Sequence, residues 1–139
     1  MAVVTKHLQI QTKGENDVID LTGEVQRSLD SAKLRNGVAT VFVAGSTAAV
    51  TTMEYEPGLL KDFPEMLERA VPKAHDYQHQ RTWHDDNGHS HVKASLVGPS
   101  LTVPFVEGEL ALGTWQQIVL VELDVRPRSR KVLLQIVGE

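Results

Sequence analysis

Residues 92–138 read VKASLVGPSLTVPFVEGELALGTWQQIVLVELDVRPRSRKVLLQIVG. Apolar and β-branched runs of strand length alternate here with short turn signals, among them Gly98-Pro99 and Glu107-Gly108. Turns this short join antiparallel neighbours. We therefore expect an antiparallel meander in this half of the chain. Its predicted strands cover residues 92–97, 101–106, 109–112, 118–125 and 131–138.

The first half adds strands and two helices. Residues 1–12 alternate between apolar and polar side chains, and residues 38–44 (VATVFVA) are apolar enough to predict a strand buried on both faces. Helical spacing follows Thr22 and recurs from Leu59 to Val71, where Asp62 and Glu65 resemble a capping box. Two helices with about eight strands and no regular βαβ alternation predict an α+β fold, mostly antiparallel sheet or sandwich.

Length and composition limit the possible functions. The chain has 139 residues, 41% of them hydrophobic, which predicts a single domain over residues 1–139. The net charge is −4 and like charges do not cluster, so neither nucleic acid nor a membrane surface is an expected partner. No apolar run reaches 18 residues, and we expect a cytoplasmic protein. With no cysteine, a metal would be held by His, Asp, Glu, Asn or water.

Residues 83–91, WHDDNGHSH, contain three of the six histidines. On a strand, His89 and His91 would share one face, and a turn at Asn87-Gly88 would fold His84 back over it. Neutral imidazole binds zinc and other first-row transition metals, so the cluster predicts a divalent-metal site. The alternative is a polar loop whose histidines meet only water or backbone groups.

The segment from Gly45 to Glu54 carries polar groups next to apolar strand residues. The hydroxyls and backbone N–H groups of Ser46 and Thr47 suit a phosphate or carboxylate, although Gly-Ser-Thr is also typical of a bulge or turn. Glu54, at the end of the same segment, is a candidate acid, base or ligand, or simply a solvated carboxylate.

The basic turn near the C-terminus offers a second phosphate site. Glu122 lies in an apolar run and needs a partner, which Arg126, Arg128 or Arg130 can supply. The same arginines suit a phosphate, with a solvated basic turn as the alternative. We expect Trp115 to be a core residue.

Several motifs together resemble the YjbQ-like family, also called the secondary thiamine-phosphate synthase family. They are YQH at residues 77–79, HDDNGHSH followed by VKASLVGPSLTVPF, and the Gly108–Ile118 segment with its GTWQ sequence. The resemblance implies a small α+β domain assembled as a homotrimer, with a histidine-lined site near the subunit boundaries. It also implies, for some members, a weak synthase activity in which a thiazole phosphate displaces pyrophosphate from a pyrimidine pyrophosphate.

Position by position, the resemblance assigns site roles to Tyr77, His79, Asn87 and His91. One position departs from the pattern, because many members have His-Thr-Thr-Ala where this chain has Gly45-Ser46-Thr47-Ala48. Either His84 or His89 replaces the missing imidazole, or metal affinity is lower, or the site does not bind a metal in the same manner.

Three functions fit these observations. In a transferase, a divalent ion (zinc, nickel or magnesium) neutralises the pyrophosphate leaving group of a small phosphorylated substrate, and Asn87 belongs to the catalytic set. In a metal-dependent hydrolase of a small phosphorylated or acyl substrate, Glu54 or Asp86 accepts a proton from metal-bound water. In the third, a non-catalytic trimer binds an anionic metabolite. The expected metal ligands are His79, His84, His89 and His91, and the expected phosphate ligands are Ser46, Thr47 and Arg126.

Overall fold

The computed structural model describes residues 1–139 as eight strands and four helices. In chain order these are β1 (Ala2–Gln11), β2 (Val18–Asp20), α1 (Thr22–Ala32), β3 (Gly37–Val43), β4 (Ala48–Met53), α2 (Pro57–Ala70), α3 (Gln78–Trp83), α4 (Gly88–Val97), β5 (Ser100–Val106), β6 (Glu109–Leu110), β7 (Gln117–Glu122) and β8 (Ser129–Gly138).

The strands form two antiparallel sheets. The larger has the order β1-β8-β3-β5-β6, and the smaller has the order β2-β7-β4. The long C-terminal strand β8 pairs with β1 on one side and β3 on the other, so the first and last strands are neighbours, with β1 at the edge of the larger sheet. The predicted α+β fold of mostly antiparallel sheet is confirmed. The predicted meander is wrong beyond the β5–β6 hairpin, because β7 pairs with β2 and β4 in the smaller sheet and β8 pairs with β1 and β3.

The core lies in two layers on either side of the smaller sheet. Between the sheets, Leu120 and Val50 of the smaller sheet pack with Val41 and Leu134 of the larger one. On the other face of the smaller sheet, helices α2 and α4 cover Val119 and its neighbours. The larger sheet has no such cover on its outer face. None of the four helices is long and apolar enough to cross a membrane.

The strand predicted for residues 92–97 is wrong, because this stretch belongs to helix α4. The β-branched Val92 and Val97 suggested a strand, but the buried positions His89, Lys93 and Ala94 recur at helical spacing. Gly88 permits the helix to begin there, since a Cβ atom at this position would lie 2.6 Å from the Cβ of Tyr77.

Other differences from the predictions have local causes. Helix α2 begins at Pro57, because the Glu56 carboxylate caps it by accepting from the Gly58 and Leu59 N–H groups, so the predicted capping box at Asp62 and Glu65 is wrong. Strand β3 is buried on one face only, with Phe42 41% exposed. Trp115, expected in the core, is 70% exposed.

Candidate functional site

Helices α3 and α4 bring two of the predicted histidines together. The ring centroids of His79 and His91 are 4.3 Å apart, with the ring planes tilted by 37°. His79 lies in the second position of α3 and His91 in the fourth position of α4. The two rings therefore stack across the junction between these helices, at a point where His91 remains partly exposed.

The other two predicted ligands lie elsewhere. His84 ends α3 in a left-handed conformation with φ of 57° and is exposed. His89 is fully buried, and its Nε2 lies 2.7 Å from Glu15 Oε1. Two residues along a helix turn the side chain by about 200°, so His89 and His91 leave α4 in nearly opposite directions. The prediction that His89 and His91 share one face of a strand is therefore wrong.

Two carboxylates and an amide surround the His79–His91 pair. Asp85 Oδ1 is 3.1 Å from His79 Nδ1, although this buried nitrogen has no well-aligned hydrogen bond. The Asn87 amide lies between Asp85 and Asp124. One orientation donates to Asp124 Oδ1 at 3.4 Å, and the reverse brings the nitrogen 3.0 and 3.2 Å from the Asp85 oxygens. The shorter distances favour the second orientation.

The electrostatics of the site keep His91 neutral and Asp124 ionised. Burial is the main cause that lowers the His91 pKa, and His79 adds to it, while Asp124 and Asp85 oppose the shift. For Asp124, burial is the largest single influence and raises the pKa. Hydrogen bonds from Arg128, Thr47 and the Val125 N–H together overcome it and lower the pKa to about 2. At neutral pH the site therefore contains an uncharged imidazole beside a firmly charged carboxylate.

A cavity of about 200 Å³ opens next to His91. Its walls come from the segment between β3 and β4, from α4, and from the turn before β5. The lining residues are Gly45, Ser46, Ala48, His91, Ala94, Ser95 and Pro99. The Gly-Ser-Thr notch and His91, 45 positions apart in the sequence, thus face the same small space.

Of the predicted phosphate ligands, only Ser46 lines this cavity. The Thr47 hydroxyl is buried, donates to Asp124 Oδ2 at 2.9 Å and accepts from Arg130 Nη2 at 2.7 Å, so its hydrogen-bonding capacity is already used. Arg126 is exposed in the turn after β7 and forms no side-chain hydrogen bond.

The predicted partner for Glu122 is confirmed as Arg130. The Arg130 Nε donates to Glu122 Oε1 at 2.8 Å, and both side chains are buried. Arg128 pairs with Asp124 in the same way, through Nη2 to Oδ2 at 2.6 Å. Sequence reasoning missed Asp124 and Asp85 as site residues. The signal for Asp124 is the pattern of two acids at 122 and 124 and two arginines at 128 and 130, on either side of the turn between β7 and β8.

The predicted proton acceptors do not join the pair of histidines in this chain. Glu54 is exposed just beyond the far end of β4, roughly 20 Å along the strand from the cavity residue Ala48. Asp86 is exposed and makes no side-chain hydrogen bond. Their neighbour Asp85, rather than either of them, approaches an imidazole.

The site offers few donor groups to a divalent metal. No three His, Asp or Glu side chains converge on one point in this chain. The two stacked imidazoles and Asp85 are the nearest approach to such a set, and His84 and His89 cannot complete it from where they lie. The residues of one chain therefore do not fit a site with three protein ligands.

The fold and the site define a small α+β protein with a cavity of about 200 Å³ beside a pair of stacked histidines. The family described as UPF0047 protein YjbQ-like matches residues 6–139, and the chain belongs to this family. A UPF0047 protein of Methanothermobacter thermautotrophicus is 40% identical over 139 residues, which cover 100% of this chain and 95% of the relative. The UPF0047 protein YugU of Bacillus subtilis is 33% identical, over 96% of this chain and 98% of its own.

Solved structures agree with this assignment. A YbjQ-like protein of unknown function from Sulfolobus solfataricus superposes with a TM-score of 0.89 at 31% identity, covering 99% of this chain and 100% of its own. A hypothetical protein from Aeropyrum pernix K1 also gives a TM-score of 0.89, at 35% identity, with 98% and 99% coverage.

Proposed function

We propose that the protein is an enzyme that binds a small phosphorylated substrate in the cavity beside His79 and His91, and that it transfers a group with release of pyrophosphate. The transfer is of the thiamine-phosphate synthase type. The observation that carries the proposal is the neutral His91 ring, stacked on His79 at the wall of a small cavity.

The proposed chemistry follows from the positions of these groups. A neutral imidazole can donate one proton and accept another near pH 7, which suits general acid or base catalysis. Asp85, 3.1 Å from His79 Nδ1, is placed to orient that ring. The Ser46 and Ser95 hydroxyls line the same cavity and can hydrogen-bond to substrate oxygens. No step is assigned to a metal.

The test is release of pyrophosphate from a pyrimidine pyrophosphate in the presence of a thiazole phosphate. We expect His79→Ala to lower kcat/KM by about 100-fold, within the range for loss of an acid–base group. His84→Ala is the matched control, because that histidine follows α3 but is exposed, and it should retain the wild-type rate. A wild-type rate in His79→Ala as well would remove His79 from the mechanism.

A hydrolase is the second candidate, and the contact between Asp85 and His79 favours it. A carboxylate beside an imidazole is a common arrangement for activating water or a hydroxyl. The two candidates differ in substrate requirement. A hydrolase releases phosphate or pyrophosphate from one substrate alone, whereas the transferase needs both. Tight binding without turnover of either kind would instead support a non-catalytic binder of an anionic metabolite.

A divalent ion is part of the proposal only through His79 and His91. We expect any zinc or nickel that copurifies with the protein to be lost in His79→Ala and His91→Ala and retained in His89→Ala, as measured by elemental analysis. Retention in the first two variants would place the metal elsewhere.

The proposed assembly is a homotrimer. The larger sheet leaves its outer face uncovered, where Val3 is 61% exposed and Phe42 41% exposed. Apolar side chains on an open sheet face favour burial against another subunit. Light scattering at micromolar concentration should give three times the chain mass, and a monomer would contradict the assembly.

A further inference from the structure

Gly45 is a glycine for reasons of space rather than backbone conformation. Its φ lies outside the left-handed region in which four other glycines of the chain are found. A Cβ atom added at this position would stand 2.7 Å from Arg130 Nη1, closer than real Cβ atoms come to a neighbour. The missing side chain therefore leaves the end of Arg130 uncovered.

The Arg130 guanidinium is held by two of its three nitrogens. Nε donates to Glu122 Oε1 at 2.8 Å, and Nη2 donates to Glu122 Oε2 at 2.5 Å and to Thr47 Oγ1 at 2.7 Å. The side chain is only 8% exposed. Nη1 has no hydrogen-bond partner in the chain. A buried, fixed guanidinium thus keeps one donor group free, directed at Gly45.

Gly45 also forms part of the wall of the cavity beside His91, together with Ser46 and Ser95. We propose that Arg130 Nη1 and this glycine form an oxyanion subsite, in which a phosphate or pyrophosphate oxygen lies over Gly45 and accepts a hydrogen bond from Nη1. This inference rests on the proposed function, because it uses the same cavity, and it identifies the part of the ligand that this cavity holds.

Charge and size both favour such a ligand group. Glu122 is balanced by Arg130 and Asp124 by Arg128, so no unpaired carboxylate of that network repels an anion. Guanidinium groups held in a fixed orientation suit tetrahedral oxyanions. A space of about 200 Å³ is smaller than a typical pocket for a whole drug-sized ligand, which begins at about 300 Å³. It accommodates a phosphate or pyrophosphate group, with the organic part of the ligand outside.

The test is isothermal titration calorimetry of inorganic pyrophosphate against the full-length protein. Gly45→Ala places a methyl group against Nη1, and we expect it to weaken binding about tenfold, the loss of one charge-assisted hydrogen bond. Gly113→Ala is the matched control, because its Cβ would meet nothing closer than 3.6 Å. It should bind pyrophosphate as the wild type does. Circular dichroism checks that both variants are folded.

The outcomes separate this inference from the proposed function. Weaker binding in Gly45→Ala, with no transfer or hydrolysis by the wild type, supports the subsite and rejects the enzyme. Unchanged pyrophosphate affinity in a folded Gly45→Ala variant overturns the subsite, whatever the activity of the wild type. The subsite is also overturned if the wild type shows no binding at about 10 mM pyrophosphate, because its Kd would then lie above the millimolar range.

Discussion

The two faces of helix α4 use the same residue type in opposite ways. On the inner face, His89 is fully buried and its Nε2 pairs with Glu15, whose other oxygen lies 3.1 Å from Lys73 Nζ. On the outer face, His91 borders a cavity, stacks on His79 and has a pKa lowered by burial. One histidine links helix α4 to the loop after β1, and the other is available to a ligand.

The contrast shows that a dense group of histidines in the sequence is not itself a site. The distance between their side chains depends on the secondary structure that carries them. Residues i and i+2 share one face of a strand but lie on different faces of a helix. Each of the following predictions separates the two faces by a different measurement.

The largest expected effect is on catalysis. His91→Ala should lower kcat/KM in the pyrophosphate-release assay by 100-fold or more, about 3 kcal/mol of transition-state stabilisation. His89→Ala, tested under conditions where it is folded, should keep the rate within about threefold. A greater loss of activity in His89→Ala than in His91→Ala would reverse the assignment of the two faces.

The second effect is on stability, and here we expect His89→Ala to cost more than His91→Ala. His89→Ala removes a fully buried ring and leaves Glu15 with Lys73 as its one remaining partner, so we expect the free energy of unfolding to fall by about 2–3 kcal/mol. His91→Ala should cost less than about 1 kcal/mol, because its ring is partly exposed. Urea denaturation of both variants provides the measurement, and equal losses would remove the distinction.

The smallest effect concerns pH. The native state disfavours protonated His91, so the unfolded chain binds more protons between the usual histidine pKa of about 6.5 and the lower native pKa. The contribution of His91 to stability is thus complete above pH 6.5 and declines as the pH falls through that window.

A matched variant isolates this decline. His91→Gln cannot titrate, so the difference in unfolding free energy between wild type and variant should shrink or change sign as the pH falls from about 7 to about 5.5. Glu15 and Asp124, whose pKa values are also lowered, titrate in a more acidic range and do not contribute to this difference. A constant difference across the window would contradict the assigned direction.

Much of the fold was accessible from the sequence because the strands have clear patterns. The strands after Gly98, the N-terminal strand and the need of Glu122 for an arginine all follow from periodicity and the cost of burying charge. The pairing of those strands does not, because β7 and β8 pair with strands from the first half of the chain. Helix α4 was not predicted, because Val92 and Val97 carry β propensity while tertiary packing on β4 decides the conformation. The short helix α3 lies in a polar segment without an apolar stripe, so its sequence carries no clear helical period.

The site was only partly accessible for a related reason. Local spacing identified His91, and family resemblance identified His79, but their meeting depends on the relative placement of α3 and α4. The unpartnered Nη1 of Arg130 could not be predicted at all. It results from a missing Cβ atom on a segment 85 residues away in the sequence.

The exposure of both tryptophans determines how the protein can be observed. Trp83 is 69% exposed and Trp115 is 70% exposed, and the chain has no other tryptophan. Intrinsic fluorescence of a single subunit should therefore emit at long wavelength even when folded, and its spectrum should shift little on unfolding. A shift to shorter wavelength on concentration would instead report that a neighbouring subunit covers Trp115. Quenching on addition of a ligand would report an event near Trp83, at the end of the helix that carries His79.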